Sequence, residues 1–306
     1  MRKLLWGLAA LVALAFAPGA AQAAARFAVC TVTCTWDAAD TSMWSASSGG
    51  ATGASVPGSG DTVTLDAATC VGGVTCTITV NATITVQSIT MGACTASTTG
   101  CILDFSANDN NVTLSVAFSG TGTGTRTLNM GDGTWTLTAT SGNVWDITTA
   151  TNLTLNANAS SIVLSATASS TRAMTLGGRT YNNISVSNAA VSTHLIDLAG
   201  AGAFTAANLT FTNVAHVRFP AATTITISGA LTYNGSSTTQ GIMYGTTGVT
   251  TISVAGANTL NWVGVQNITK SGAGSLTVNN GFNLGNNTSV TINIPAGGSG
   301  IIGGGL

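Results

Sequence analysis

Residues 77–92 read TITVNATITVQSITMG. Apolar side chains occupy every second position over residues 78–86, and the alternation then changes phase so that Ile89 and Met91 continue it on odd numbers. Strict alternation predicts a β-strand with one buried face, because successive strand residues point to opposite sides. The phase change at residues 87–88 predicts that the chain turns a corner there and that its inward side swaps parity.

Similar short runs rich in Thr, Val and Ile recur along the chain at intervals of roughly 8 to 12 residues. They lie at 62–65, 77–80, 112–116, 126–130, 134–138, 152–156, 161–165, 182–187, 208–213, 224–228, 250–254, 275–279 and 289–294. Such spacing is typical of a sandwich, a barrel or a β-solenoid. A sandwich is complete in about 100 residues, whereas no linker or change of composition divides this chain after Cys101. The pattern therefore favours a solenoid.

Asparagine clusters separate many of these runs and suit the corners of a solenoid, because Asn tolerates the left-handed backbone conformation that tight corners use. The clusters lie at 108–111, 182–183, 279–280 and 286–287. Asn, Thr and Val side chains can also stack on their equivalents one coil away and form ladders. We therefore predict an all-β chain folded as a right-handed parallel β-helix.

The composition excludes two classes of protein. Of the 306 residues, 44% are hydrophobic and only 6% are charged, where about 25% charged residues is usual. Disordered chains are poor in apolar residues, so this chain is expected to fold. Lys and Arg number 8 against 9 acidic residues, all of them Asp. Without clustered basic residues to neutralise phosphates, the chain is not expected to bind nucleic acid.

The first 25 residues have the pattern of a secretory signal peptide. Residues 1–3 include two basic residues, residues 4–17 form an apolar run, and both 21–23 and 23–25 offer a cleavage site with small residues. A membrane anchor would need about 20 apolar residues. We therefore expect residues 1–25 to be removed, leaving a secreted or cell-surface protein with no transmembrane span. The signal and the style of the sequence favour a Gram-negative bacterium.

All six cysteines lie in the first third of the chain. They are Cys30, Cys34, Cys70, Cys76, Cys94 and Cys101. An even number in an exported protein predicts disulfides, and the Gly-Gly turn inside CVGGVTC predicts a bond from Cys70 to Cys76. The segment 94–101 has a similar form. A single extended strand would hold Cys30 and Cys34 about 13 Å apart, beyond the roughly 7 Å limit, so either that segment turns or its cysteines have other partners.

The distribution of cysteines and strand-like runs suggests the domain organisation. Residues 26–101 are expected to form an N-terminal cap and the first coils, stabilised by the disulfides, because the open edges of a solenoid must be covered. Residues 102–296 are expected to form the β-helix coils. Residues 297–306 are rich in glycine and are expected to form a flexible tail.

The segments 35–50, 56–68 and 77–89 resemble the opening of secreted β-helix proteins of the autotransporter-passenger and adhesin type. The resemblance rests on a Trp-Asp start, a second Trp and a Pro-x-x-Gly-Asp turn, at Trp36, Asp37, Trp44, Pro57, Gly60 and Asp61. It implies a β-helical surface protein. It implies no activity, because right-handed β-helices also include pectate lyases, polygalacturonases and phage tailspikes.

Few side chains could carry catalysis, since Glu is absent. Asp109 and Asp132 are separated by about one coil and would stack within reach of one another, with Arg126 nearby. They could form a carboxylate pair or a Ca²⁺ site, or simply be two corner residues. His194 and His216 have a similar spacing, but without Cys or Glu they make a poor zinc site. We predict no metal and no cofactor.

The aromatic residues of the solenoid region could form a flat platform for sugar rings, although packing in the core is the more ordinary use. These are Trp135, Trp145, Tyr181, Tyr233, Tyr244 and Trp262. We expect a non-enzymatic structural or adhesive protein that binds carbohydrate or another surface polymer, or that self-associates. The alternative is a polysaccharide lyase or glycoside hydrolase that uses Asp109 and Asp132.

Overall fold

In a computed structural model, the residues that the structure describes are 23–94, 100–148, 151–165, 169–187 and 194–295. Residues 1–22 of the predicted signal peptide and the predicted tail 297–306 lie outside them. The described strands are β1 (Ala25–Ala28), β2 (Thr33–Trp36), β3 (Trp44–Ser45), β4 (Thr62–Leu65), β5 (Cys76–Val80), β6 (Ile84–Met91), β7 (Cys101–Asp104), β8 (Val112–Ser119), β9 (Arg126–Asn129), β10 (Thr134–Leu137), β11 (Gly142–Asp146), β12 (Leu153–Asn156), β13 (Ser161–Leu164), β14 (Arg172–Thr175), β15 (Thr180–Ser187), β16 (Leu195–Asp197), β17 (Phe204–Thr212), β18 (His216–Phe219), β19 (Thr224–Ile227), β20 (Leu231–Asn234), β21 (Gly241–Gly245), β22 (Thr250–Val254), β23 (Asn258–Asn261), β24 (Val263–Gln266), β25 (Ile268–Ser271), β26 (Leu276–Asn279), β27 (Phe282–Asn283) and β28 (Thr291–Asn293). The described residues also contain one 3-10 turn, Ala199–Ala201.

The strands form a parallel β-solenoid, which confirms the predicted fold class. Each coil contributes to three rows of stacked strands. Side A contains β1, β4, the second halves of β6 and β8, then β11, β14, β16, β18, β21, β24 and β27. Side B contains the first halves of β6 and β8, then β10, β13, the second halves of β15 and β17, β20, β23, β26 and β28.

Side C contains β2, β5, β7, β9 and β12 in one ladder, followed by the first halves of β15 and β17, then β19, β22 and β25 in another. Among the described strands, all pairs are parallel except β1 with β3. Inward-facing residues from the three sides meet in one continuous apolar core. No helix in the described ranges is long and apolar enough to span a membrane.

The stretch 77–92 makes one complete coil. β5 lies on side C, the first half of β6 lies on side B, and its second half lies on side A. The pairing of β6 with β8 shifts register between Val86 and Ser88, and the buried residues change parity from Val86 to Ile89. The corner predicted from the phase change is therefore confirmed.

Coil length varies because the corners differ in size. Hydrogen-bonded asparagines one coil apart are separated by 27 residues at Asn129 and Asn156, but by only 14 at Asn279 and Asn293. These amide ladders bear out the expected stacking of Asn on Asn.

Several corners use the left-handed conformation at a residue other than glycine, as the asparagine clusters predict. The Asp and Asn residues with positive φ are Asp109, Asn152, Asn158, Asn213, Asn267, Asn280 and Asn286. Asn182 and Asn183 lie within β15, where the chain passes from side C to side B and the buried residues change parity without a break in the strand.

The disulfides connect Cys30 with Cys34, Cys70 with Cys76 and Cys94 with Cys101, with Cα atoms 5.8, 5.3 and 5.8 Å apart. The segment that contains Cys30 and Cys34 turns before β2 begins at Thr33. Of the two alternatives that their spacing left open, the turn is therefore the correct one, and these cysteines bond to each other. The corners that hold the cysteines stack on one another through the backbone. Cys30 and Cys70 form a parallel β-bridge, and Cys76 lies opposite Cys101 in the β5–β7 ladder. The disulfides therefore fasten successive corners between sides A and C.

Two tryptophans fill the first layer of the core. Trp36 ends β2, the first strand of side C, and Trp44 begins β3, beside the first strand of side A. Their rings pack edge to face with centroids 4.9 Å apart, and Met43 is buried with them. Their position explains why the first coil needs large aromatic residues, since no earlier described coil covers it.

A second aromatic cluster lies in the middle of the core. Trp135 packs against Phe105, Phe118 and Trp145 with centroid distances of 4.8, 5.9 and 5.8 Å, and Trp145 contacts Tyr181. Trp135, Trp145 and Tyr181 are buried. They pack the core and are unavailable as a platform for sugar rings.

Candidate functional site

Side C is interrupted between β12 and β15. β12 is the last strand of the five-stranded ladder, while Thr180 and Tyr181, at the start of β15, pair onward with β17. No backbone ladder joins β12 to β15 in the part of the chain that the structure describes. Gly177 and Gly178, with φ of 57° and 68°, form the turn before β15, and the strand then passes quickly to side B. Two strand edges therefore face a gap in the side of the solenoid.

A groove of about 600 Å³ lies at this gap. Its lining is formed by the ends of side-C strands and the corners that follow them. The lining residues are Ser106, Asn129, Leu155, Asn156, Ala157, Asn158, Thr180, Tyr181, Asn182, Thr205, Ala207 and Ser228. Four amides and four hydroxyls from Ser and Thr alternate with small apolar side chains, and the lining contains no charged residue. We call this surface the side-C groove.

The polar groups of the side-C groove are held in place by the fold. Asn156 Nδ2 donates a hydrogen bond of 2.7 Å to Asn129 Oδ1 on the preceding coil. The Tyr181 hydroxyl donates to the Leu176 carbonyl at 3.0 Å and accepts from Trp145 Nε1 at 3.2 Å. Burial raises the pKa of Tyr181 well above its ordinary value, so it stays a neutral phenol that packs in the core beneath the groove.

Asp109 and Asp132 lie on neighbouring coils, as their spacing predicts, and both carboxylates bind backbone. Asp109 Oδ1 accepts the Asp132 N–H at 2.8 Å, and Asp132 Oδ1 accepts the Ala159 N–H at 2.9 Å. Because Ala159 follows Asn158 of the groove lining, this acidic corner borders the side-C groove. Its observed contacts hold one coil on the next.

Arg126 does not lie beside these carboxylates, so its expected proximity to them is wrong. It begins β9, whereas Asp132 follows the other end of that strand. Its inward position was readable from the sequence: Arg126 shares strand parity with Leu128 and Met130, which are also buried. The alternation therefore predicts a buried arginine.

The buried Arg126 guanidinium donates to five backbone carbonyls. They belong to Met91, Gly120, Gly122, Gly124 and Thr151, at distances of 2.7 to 2.9 Å. Burial, and then the charge of Arg179, lower the pKa of Arg126 below its ordinary value. Since the acceptors lie on three successive coils, Arg126 fastens the corner that follows the last disulfide.

His194 and His216 lie on neighbouring coils, where the backbone N–H of His216 donates to the His194 carbonyl at 3.0 Å. Their side chains differ in environment: His194 is buried and His216 is half-buried. His194 Nε2 accepts a hydrogen bond of 3.1 Å from Arg172 Nε. Burial, with the charges of Arg172 and His216, lowers the pKa of His194 to about 4. Among the described residues, no three His, Cys, Asp or Glu side chains form a potential metal cluster.

A polar row that was not predicted from the sequence lies on the outer face of side A. Asp197, Arg218 and Tyr244 occupy the same register on β16, β18 and β21. Arg218 forms an ion pair with Asp197, with Nε donating to Oδ1 at 3.0 Å, and this hydrogen bond raises the pKa of Arg218. The parity of these residues, opposite to the buried Val217 and Phe219, was the available signal. A partly exposed pair of this kind contributes little to stability.

The fold and the grooved side define a class of protein, a disulfide-containing parallel β-solenoid. No protein-family profile, no curated protein and no solved structure matches the chain.

Proposed function

We propose that this protein is a secreted or cell-surface structural and adhesive β-helix whose side-C groove binds an uncharged polysaccharide. The observation that carries the proposal is the lining of the groove, which combines fixed amides and hydroxyls with no charged side chain. Each Asn amide presents both a donor and an acceptor, and these complement the hydroxyl groups of a sugar. A neutral ligand needs no charged partner when it loses water in the groove.

The periodicity of the solenoid supports a polymer as the ligand. Successive coils are about 4.8 Å apart, which is close to the length of one sugar unit. A chain that follows the solenoid axis would meet an equivalent set of amides and hydroxyls on each coil, such as Asn129 and Asn156. Weak contacts repeated along a linked chain give useful avidity.

Several features support an exported structural role. Disulfides persist in oxidising compartments, and this chain has three of them. The pattern of residues 1–25 and the adhesin-like opening segment favour the same location. The low charge content leaves little electrostatic repulsion against lateral association.

Filling the side-C groove is expected to abolish polysaccharide binding without unfolding the protein. Ala207→Trp places an indole in the groove, and we expect at least about tenfold weaker binding, equivalent to about 1.4 kcal/mol. Ala173→Trp is the matched control, because Ala173 points outward from β14 on side A. Isothermal titration with neutral and acidic polysaccharides would measure both variants. Equal losses in the two variants, or a preference for acidic chains, would contradict the assignment of the groove.

A hydrolase or lyase is the second candidate, because the Asp109–Asp132 corner borders the groove. Mass spectrometry of the same polysaccharides after incubation separates the two functions. We expect chains of unchanged length. Shortened chains would replace the adhesive function with an enzymatic one, and their loss in an Asp132→Asn variant would place the chemistry at this corner.

A further inference from the structure

A second buried arginine lacks the partners that Arg126 has. Arg172 begins β14, and both its side chain and that of His194 have no exposed surface. Because Arg172 Nε donates to His194 Nε2, the neutral imidazole carries its proton on Nδ1. The two terminal amino groups of Arg172 and Nδ1 of His194 find no acceptor among the described residues. Every unpartnered group of the pair is thus a donor.

A buried guanidinium remains charged, because its pKa stays far above neutrality. Burial lowers the pKa of Arg172 to about 10, which still leaves it cationic at neutral pH. No carboxylate in the described ranges forms an ion pair with it. We propose that the terminal amino groups of Arg172 bind a small inorganic monoanion such as chloride. His194 acts as a positioning residue, since it fixes the guanidinium through Nε.

Bromide soaked into crystals of the disulfide-bonded protein tests the site directly. We expect an anomalous peak within hydrogen-bonding distance of both terminal nitrogens of Arg172. In solution at constant ionic strength, replacing gluconate with bromide should raise the melting temperature of the protein. Bromide sites at the surface with none at Arg172, or main-chain carbonyls bonded to both amino groups, would overturn the proposal.

Variants separate the ligand from its positioning residue. We expect Arg172→Met to lose the bromide dependence and Arg26→Met, at a half-buried surface arginine, to keep it. His194→Phe removes the acceptor for Nε and should raise the bromide concentration at half-saturation about tenfold. His194→Gln restores an acceptor and should recover most of the affinity. Equal effects of Phe and Gln at position 194 would contradict a positioning role. If Arg172→Met does not fold, the bromide soak of wild-type crystals still tests whether an anion binds at Arg172.

A separate observation concerns the N-terminus. Ala24 belongs to the first coil: its carbonyl accepts the Thr62 N–H at 3.0 Å, and its N–H donates to Asp61 Oδ1 at 3.0 Å. Ala25 pairs with Thr62 in the ladder of β1 and β4. Asp61 Oδ2 also accepts the Gly58 N–H at 2.9 Å, which holds the carboxylate in place.

The sequence offers two signal-peptide cleavage sites, after Ala23 and after Ala25. Only cleavage after Ala23 preserves these bonds. We infer that export, as in the proposed function, ends with hydrolysis of the peptide bond between Ala23 and Ala24. Water supplies the oxygen of the new Ala23 carboxylate, and Ala24 gains an α-ammonium group. That group lies against Asp61, so processing converts a hydrogen bond into an ion pair that closes the first coil. Cleavage after Ala25 would delete both residues.

Intact mass and N-terminal sequencing of the secreted protein test this inference. We expect Ala24 as the first residue. A start at Arg26 would overturn the cleavage position alone, whereas a chain that retains Met1 would overturn export and the proposed function with it. In chains that begin at Ala24, Asp61→Asn should lower the melting temperature by about 2–4 °C. The same substitution should have a smaller effect when two extra residues precede Ala24, because only the hydrogen bonds of Asp61 are then lost, and equal effects in both chains would contradict the ion pair.

Discussion

Arg126→Leu is expected to destabilise the protein by at least about 3 kcal/mol, because it leaves up to five carbonyls without their donor and each buried orphan costs about 1–3 kcal/mol. Because leucine does not carry a charge that must be buried, the loss of stability should be smaller than the summed cost of five unpaired carbonyls. The acceptors include Met91 on one coil and Thr151 two coils later. The loss should therefore loosen three coils together. Urea denaturation followed by circular dichroism measures the change.

Two variants control this experiment. Arg126→Lys keeps the charge but offers three donors in place of a fork of five, and we expect a loss of intermediate size. Arg26→Leu removes an arginine whose hydrogen bonds to Ser55 are exposed, and it should change stability by less than about 1 kcal/mol. A urea midpoint for Arg126→Leu equal to that of Arg26→Leu would show that the five bonds add no net stability.

Trp135→Ala is expected to cost about 3–5 kcal/mol, the range for truncation of a buried tryptophan. The indole is fully buried, contacts Phe105 and Phe118, and donates from Nε1 to the Met130 carbonyl at 3.2 Å. Its removal leaves a cavity in the middle of the solenoid, where each coil depends on its neighbours for stability. Thermal and urea unfolding measure the loss.

The matched control is Trp262→Ala. Trp262 lies half-buried at a corner, with φ of 57°, and its truncation should cost less than about 1.5 kcal/mol. Trp135→Phe keeps most of the apolar surface and should recover much of the lost stability. A larger loss at position 262 than at 135 would mean that the corners, rather than the aromatic core, limit stability.

Local patterns predicted the features whose causes are local. Strand alternation predicted that Val86 and Ile89 both point into the core, from two different sides of the solenoid. Short sequence separations predicted two of the disulfides. The coil spacing placed Asp109 next to Asp132. Strand alternation also predicts that Arg126 and Arg172 face the core, but a charged residue at the start of a strand is ordinarily expected to be exposed. The partners that keep Arg126 inside are main-chain carbonyls, and no residue type in the sequence identifies them.

The sequence by itself determined the class of fold, because alternation and β-branched residues act within single strands and left-handed corners favour Asn and Gly. The groove was decided by tertiary structure alone. It exists because the ladder stops at β12 and resumes at β15, and pairing between coils depends on corner lengths over more than one turn. The Arg172–His194 pair likewise joins residues separated by 22 positions. Contacts of this kind arise when coils stack, since stacking fixes which side chains share the interior and which acceptors each can reach.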